Sequence, residues 1–264
     1  MMDCHTHLTD AAFSADREAV LERAGVAGVR RIAIVGQDLA ENQGVLEAAG
    51  ADPERYLPFL GLHPDRFADH RERVSEAEQA AILEQIRQNA SRLTGIGEVG
   101  LDYWVCQEPE GQAAQRAAFT ELVRLGMALD LPLNVHSRSA GRHTLDLLLE
   151  LGARKVLMHA FDGKASYALK GAEAGFVFSI PPSIVRSPQK QKLVRALPLG
   201  SLALETDSPV LGPEPGVRNE PANVVLSLQA IADLKGVSRQ EAAEVIWDTS
   251  CRLFGLSRSP LHNG

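Results

Sequence analysis

Met2-Asp3-Cys4-His5-Thr6-His7-Leu8 opens the chain as a run of strand length that carries two histidines toward its end. No G-x-G-x-x-G turn follows it, so the phosphate turn of a doubly wound dinucleotide fold is missing where it would stand. Farther on, Ile32-Ala33-Ile34-Val35 and Val177-Phe178-Ser179-Ile180 are nearly continuous apolar runs, the pattern of parallel strands covered on both faces. Eight such runs, at 2–8, 29–36, 57–62, 94–101, 131–136, 155–159, 175–180 and 202–206, alternate with amphipathic stretches at a spacing of about 30 residues. The clearest helical patterns are 75–90, 112–129, 222–235 and 239–254. Eight strand–helix units in 264 residues predict one α/β domain over 1–264, a TIM (β/α)8 barrel.

Composition narrows the function classes. The chain is 45% hydrophobic and 23% charged, which is globular, and no stretch of about 18 uncharged apolar residues offers a membrane span. The first residues lack the basic and apolar regions of a secretory signal. Cys4, Cys106 and Cys251 are scattered and odd in number, which fits neither a disulfide framework nor a cysteine zinc knuckle. Together these predict an intracellular protein, cytoplasmic or, in a eukaryote, nuclear. With 27 basic against 34 acidic residues the net charge is −7, which excludes a protein that coats duplexes through counterion release. Aromatics at 5% disfavour a stacking platform along a single strand. No sustained heptad marks an obligate protein partner.

The chemistry lies in where the polar residues fall. His5 and His7 sit in the first strand, His63 closes the third, Glu98 lies in the fourth, His136 and His159 end the fifth and sixth, and Asp207 follows the eighth. In a parallel barrel these strand ends meet at one face. Residues two apart in a strand point the same way, so His5-x-His7 is a natural chelate. The remaining histidines, His70, His143 and His262, read as solvated. Imidazoles mixed with carboxylates suit Zn, Mn or Mg rather than a thiolate-preferring ion. The number of imidazoles, with Glu98 and Asp207, predicts two divalent ions bridged by Glu98. The chain has no lysine before Lys155, so a carboxylated lysine cannot be the bridge on strand four.

Asp3-Cys4-His5-Thr6-His7, Gly97-Glu98-Val99-Gly100-Leu101-Asp102, Asn134-Val135-His136-Ser137-Arg138, His159-Ala160-Phe161-Asp162-Gly163 and Glu205-Thr206-Asp207-Ser208-Pro209 resemble, in this order, the TatD family of metal-dependent deoxyribonucleases. Ser137-Arg138-Ser139-Ala140-Gly141-Arg142, Phe178-Ser179-Ile180-Pro181-Pro182-Ser183 and Arg218-Asn219-Glu220-Pro221 are most similar to the branch that holds the third vertebrate TatD-domain paralogue. The resemblance implies a TIM barrel, a divalent-metal centre and phosphodiester hydrolysis, with nucleic acid as substrate: 3′-to-5′ exonuclease action on single strands, incision at abasic sites, or both. It implies that His5 and His7 hold one ion with Glu98 and Asp207, that His136 and His159 hold a second with Glu98, and that His63 stands near the substrate phosphate. Asp162, where many members have Ser or Thr, is a departure that bears on substrate preference.

On the residues alone, Asp207 is the candidate proton acceptor, and His63 and Arg138 are candidates to stabilise charge on the phosphate. Asp102 and Glu205 read either as acceptors that orient ligand imidazoles or as capping and surface charge. Arg186, Lys190, Lys192 and Arg195 read as a solvated helix face or as a patch that tracks a backbone. Arg218 and Asn219, in the loop 212–221, are expected to contact substrate. Two other readings stand beside the nuclease: a hydrolase of the same architecture acting on an ester or amide, such as a misacylated tRNA, and a catalytically silent scaffold.

Overall fold

The computed structural model describes residues 1–68, 70 and 73–257. Eight parallel strands form one sheet in sequence order: β1 (Met2–Thr6), β2 (Arg31–Val35), β3 (Tyr56–Leu60), β4 (Gly95–Gly100), β5 (Leu133–His136), β6 (Val156–Met158), β7 (Val177–Ile180) and β8 (Leu202–Leu204). Between and after them lie α1 (Arg17–Val26), α2 (Leu39–Ala51), α3 (Glu76–Asn89), α4 (Pro109–Ala128), α5 (Gly141–Glu150), α6 (Ala165–Glu173), α7 (Pro188–Ala196), α8 (Val224–Lys235) and α9 (Arg239–Phe254). The helices start where a short polar side chain can take a free amide: Asp38 accepts from Ala40 and Glu41, Ser75 from Glu78, and Ser238 from Glu241. The strands are shorter than the apolar runs that predicted them, so His7, His63, His159 and Asp207 stand just past strand ends.

The ring closes beyond the end of β8. Asp207 N donates to His5 O and His7 N donates to Ser208 O, both at 2.9 Å. Beneath them the Asp3 carboxylate accepts from Thr206 Oγ1 at 2.6 Å and from Thr206 N at 2.9 Å. Burial pushes the Asp3 carboxyl up to about 8 in spite of these donors.

Alternate strand residues separate two cores. One set packs under the helices. The other, including Met2, Cys4, Ala33, Val35, Leu57, Phe59, Leu157, Val177 and Ala203, forms its own cluster inside the ring, with Cys251, Leu253 and Phe254 of α9 packed on it. The interior is tight at β4. A Cβ on Gly97 would lie 2.6 Å from Asn134 Cβ, and one on Gly100, whose φ is +150°, would lie 2.0 Å from His136 O. Glycine there lets β5 come close enough to bring His136 toward Glu98.

Phe254 meets Phe59 edge-on, with centroids 5.3 Å apart. Replacing Phe254 with Ala removes a buried ring from the floor of the barrel and lowers unfolding stability by about 3–5 kcal/mol. Urea unfolding followed by circular dichroism measures it, and a loss under about 1 kcal/mol would mean that α9 is not part of the core.

Candidate metal centre

Glu98 is 1% exposed and stands at the centre of five imidazoles. Its Oε1 lies 2.7 Å from His136 Nδ1, 3.0 Å from His159 Nε2 and 3.4 Å from His63 Nε2. Its Oε2 faces the other way, 3.2 Å from His7 Nε2 and 3.5 Å from His5 Nε2. Asp207 Oδ1 completes the second group at 3.4 Å from His5 Nε2 and 3.3 Å from His7 Nε2. The structure thus brings together all six residues expected as ligands.

The donor set fits divalent cations. His5, His7 and Asp207 present ligand atoms within 4.8 Å of one another, as do His5, Glu98 and His159, and also His63, Glu98 and His136. The Nε2 atoms of His5 and His7 are only 3.3 Å apart, so two electron-pair donors converge beside two carboxylate oxygens. Among the described residues, Glu98 Oε2 and His159 Nδ1 are buried without a hydrogen-bond partner, an arrangement that is costly unless another group completes it. His63 belongs to this cluster, its Nε2 3.4 Å from Glu98 Oε1.

The imidazoles are held in place from behind. Asn134 Oδ1 accepts from His5 Nδ1 at 2.8 Å, leaving Nε2 for the centre, and Asn134 Nδ2 donates to Cys4 O at 2.9 Å, which fixes the amide. Asp102 Oδ2 is 3.0 Å from His136 Nε2, so Asp102 orients an imidazole. Glu205 stands 3.5 Å from His159 Nδ1 and is itself held by Ser179 Oγ at 2.6 Å and Ala160 N at 2.8 Å. Asn134 carried no charge to mark it in the sequence. Its signal is position, two residues before His136 on the same face of β5.

Burial and charge oppose each other here. Burial pulls the imidazoles down, yet the carboxylates outweigh it. Glu98 and Asp207 raise His5 well above the usual range, Glu98 and Asp65 raise His63 to about 10, and Glu98 and Glu205 raise His159 to about 9. Reciprocally, burial would raise Glu98 and Asp207, but the histidines hold both well below the usual carboxylate range.

The centre floors a cavity of about 630 Å³, which Arg138, Asp162 and Lys190 also line. Arg138 is exposed and lies over the Trp104 ring, 5.1 Å from its centroid. Arg218 and Asn219 do not enter the cavity, contrary to expectation. Arg218 pairs with Asp16 at 2.6 and 2.8 Å, because ring closure sets the final connection against the start of α1. Asn219 is 1% exposed and spends its amide on Thr206 O and Val210 O, at 2.7 and 2.8 Å, to hold that connection. Of the basic cluster, Arg186, Lys192 and Arg195 are exposed, whereas Lys190 is buried. His70 and His143 are exposed as expected, and His262 lies outside the described residues.

Ligation needs neutral imidazoles, while the surrounding carboxylates favour the protonated forms of His5, His63 and His159 when no cation is bound. Loading with Zn or Mn therefore releases protons, and apparent affinity rises with pH until His159 and His63 titrate near 9 and 10. Calorimetry in buffers of different ionisation enthalpy reads the release, and a heat independent of buffer contradicts it. Asn134→Ala frees the His5 ring and weakens metal affinity by roughly 10- to 100-fold. Equal affinity in that variant removes Asn134 from the site.

A family model described as TatD related DNase matches residues 2–255. The human protein named deoxyribonuclease TATDN3 is 46% identical over 262 residues, spanning 96% of this chain and 94% of that protein. A Mycobacterium tuberculosis protein named uncharacterized metal-dependent hydrolase TatD is 33% identical over 270 residues, spanning 97% and 98%. The crystal structure of the TatD homolog YJJV from Escherichia coli k12 superposes with a TM-score of 0.85 at 26% identity, covering 97% of this chain and 98% of that one. No described helix is long and apolar enough to cross a membrane. Barrel, polar face and sequence agree from one end of the match to the other: the chain belongs to the TatD-related DNase family and is a hydrolase acting on ester bonds.

Proposed function

We propose that the chain hydrolyses phosphodiester bonds of DNA, in single strands and at abasic sites, at a centre of two divalent ions. The observation that carries the reading is the division of Glu98: one oxygen faces His63, His136 and His159, the other His5 and His7. A carboxylate so placed can serve two cations at once. His5, His7, Glu98 and Asp207 would hold one ion, and His136 and His159 the other with Glu98. Zn, Mn and Mg all suit these donors. Bound there, such ions supply Lewis acidity that acidifies a water and polarises a phosphoryl oxygen.

The chain's own groups do the remainder. Asp207, ionised at neutral pH, accepts the proton of the attacking water. His63, within reach of Glu98 and held by Asp65, stands at the floor of the cavity to meet the phosphate. Arg138 offers a two-pronged donor at the cavity mouth, and the Trp104 face beneath it restricts where the guanidinium points. The human relative's name, a deoxyribonuclease, supports the choice of DNA.

Asp207→Asn keeps the fold and slows cleavage of labelled single-stranded and abasic DNA by roughly 10²- to 10⁴-fold, and EDTA abolishes wild-type cleavage. Glu98→Ala loses at least one ion by elemental analysis. Near wild-type rates in metal-loaded Asp207→Asn would sink the proton-acceptor role, and two ions retained by Glu98→Ala would sink the bridge. Cleavage of aryl esters but of no DNA would replace the nuclease with the ester-hydrolase reading.

A further inference from the structure

Lys190 sits where helix energetics disfavour a cation. It is the third residue of α7, in the first turn, where the helix dipole presents its positive end, and Ser187 Oγ takes its backbone N–H there at 3.3 Å. Its side chain is nonetheless folded inward. Lys190 is 9% exposed and lines the same cavity as His159, Asp162 and Asp207. An ammonium has three N–H donors. This one makes a single hydrogen bond, 3.4 Å long, to Ala160 O, and forms no ion pair among the described residues. Burial lowers its proton affinity, and Glu205, Asp162 and Asp207 restore only part of it.

The mount is fixed. Gln189 Nε2 donates to Phe161 O at 3.3 Å and to Gly163 O at 3.0 Å, tying the first turn of α7 to the loop that follows His159. Lys192 and Arg195, on the same helix, remain in solvent. The helix therefore sends one cation into the cavity with most of its donor capacity unspent. With one long hydrogen bond to Ala160 O, the ammonium keeps donors for the cavity, where an anion offers charged acceptors.

We propose that Lys190 is a phosphate receptor of this cavity: its ammonium donates to a non-bridging oxygen of the substrate phosphodiester, from the side of the barrel where β6 and β7 end. The proposal rests on the phosphodiesterase reading above. The contact is made to substrate and to product phosphate alike, so it is measurable by binding.

Inorganic phosphate is titrated calorimetrically into metal-loaded wild type, Lys190→Met and Lys190→Arg, with bound metal quantified in each. Lys190→Met weakens phosphate by roughly 10- to 100-fold with metal content unchanged, and Lys190→Arg recovers part of the loss. Affinity within twofold of wild type in Lys190→Met overturns the proposal. In the unmutated protein, saturating phosphate slows reductive methylation of Lys190, read by peptide mass spectrometry. An unchanged rate also overturns it, whether or not the variants fold. DNA cleavage is scored separately. A wild type that binds phosphate through Lys190 but cuts no DNA removes the nuclease and keeps the receptor, whereas one that cuts DNA while Lys190→Met binds phosphate normally removes the receptor alone.

Discussion

One buried carboxylate constrains everything at the catalytic face. Glu98 is all but sealed from solvent, and an uncompensated ion at that depth costs several kcal/mol. Its negative charge, with that of Asp207, must be matched by something within reach. Protons on the surrounding imidazoles do this in the metal-free protein, and cations can do it in their place, because the same Nε2 and Nδ1 atoms serve both states. The polar layer is thus stable in either ionic form, and exchange between them is a trade of protons for metal. Solvated carboxylates would lack this coupling.

The second constraint is closure. Asp207 reaches His5 and His7 because the segment after β8 hydrogen-bonds to β1: Asp207 N to His5 O, His7 N to Ser208 O, and the Thr206 amide and hydroxyl to Asp3. The contacts that complete the ring are also those that place its last acid against its first two imidazoles. Fold and site share these bonds, so a change that opens the seam separates the donors before it exposes the core. The apolar layer inside the ring and the aromatic contact from α9 lie below this seam and support it from the opposite end.

What could be read from sequence follows from what each feature depends on. The strands are legible because burial on both faces leaves continuous apolar runs such as 32–35, and the convergence of the candidate ligands because imidazoles and acids at strand ends have few structural uses. The sequence overestimates the strand ends: Leu62 continues the apolar run past the last residue of β3, and Glu205 and Thr206 follow β8 without belonging to it. Arg218 looked like a substrate contact because its partner Asp16 lies 202 positions away and becomes a neighbour only on closure. Lys190 reads in the sequence as part of a solvated face or of a backbone-tracking patch, because composition does not say which way a side chain on a short helix turns. Asn134 carries no charge of its own to mark it, and it acts by orienting His5, a relation between two strands that no local pattern records. Charge and periodicity are properties of a segment, whereas these three are properties of the assembled ring.

The same distinction resolves the acidic net charge. A value of −7 describes the whole chain, but screening over about 8–10 Å leaves a bound phosphate subject only to its nearest charges. Around the cavity these are unevenly distributed. Asp10, Glu41 and Asp65 line the sector where β1 to β3 end, whereas the lysine and arginine of the lining, Arg138 and Lys190, follow β5 and β7, with Asp102 and Asp162 beside them. Burial, with Asp38 adding to it, already holds the Glu41 carboxyl above its usual range, so that sector resists further negative charge. A polyanion is therefore not drawn to the molecule as a whole. Within the cavity, the lysine and arginine nearest a bound phosphate would be Arg138 and Lys190, so an acidic net charge does not by itself exclude an acidic substrate.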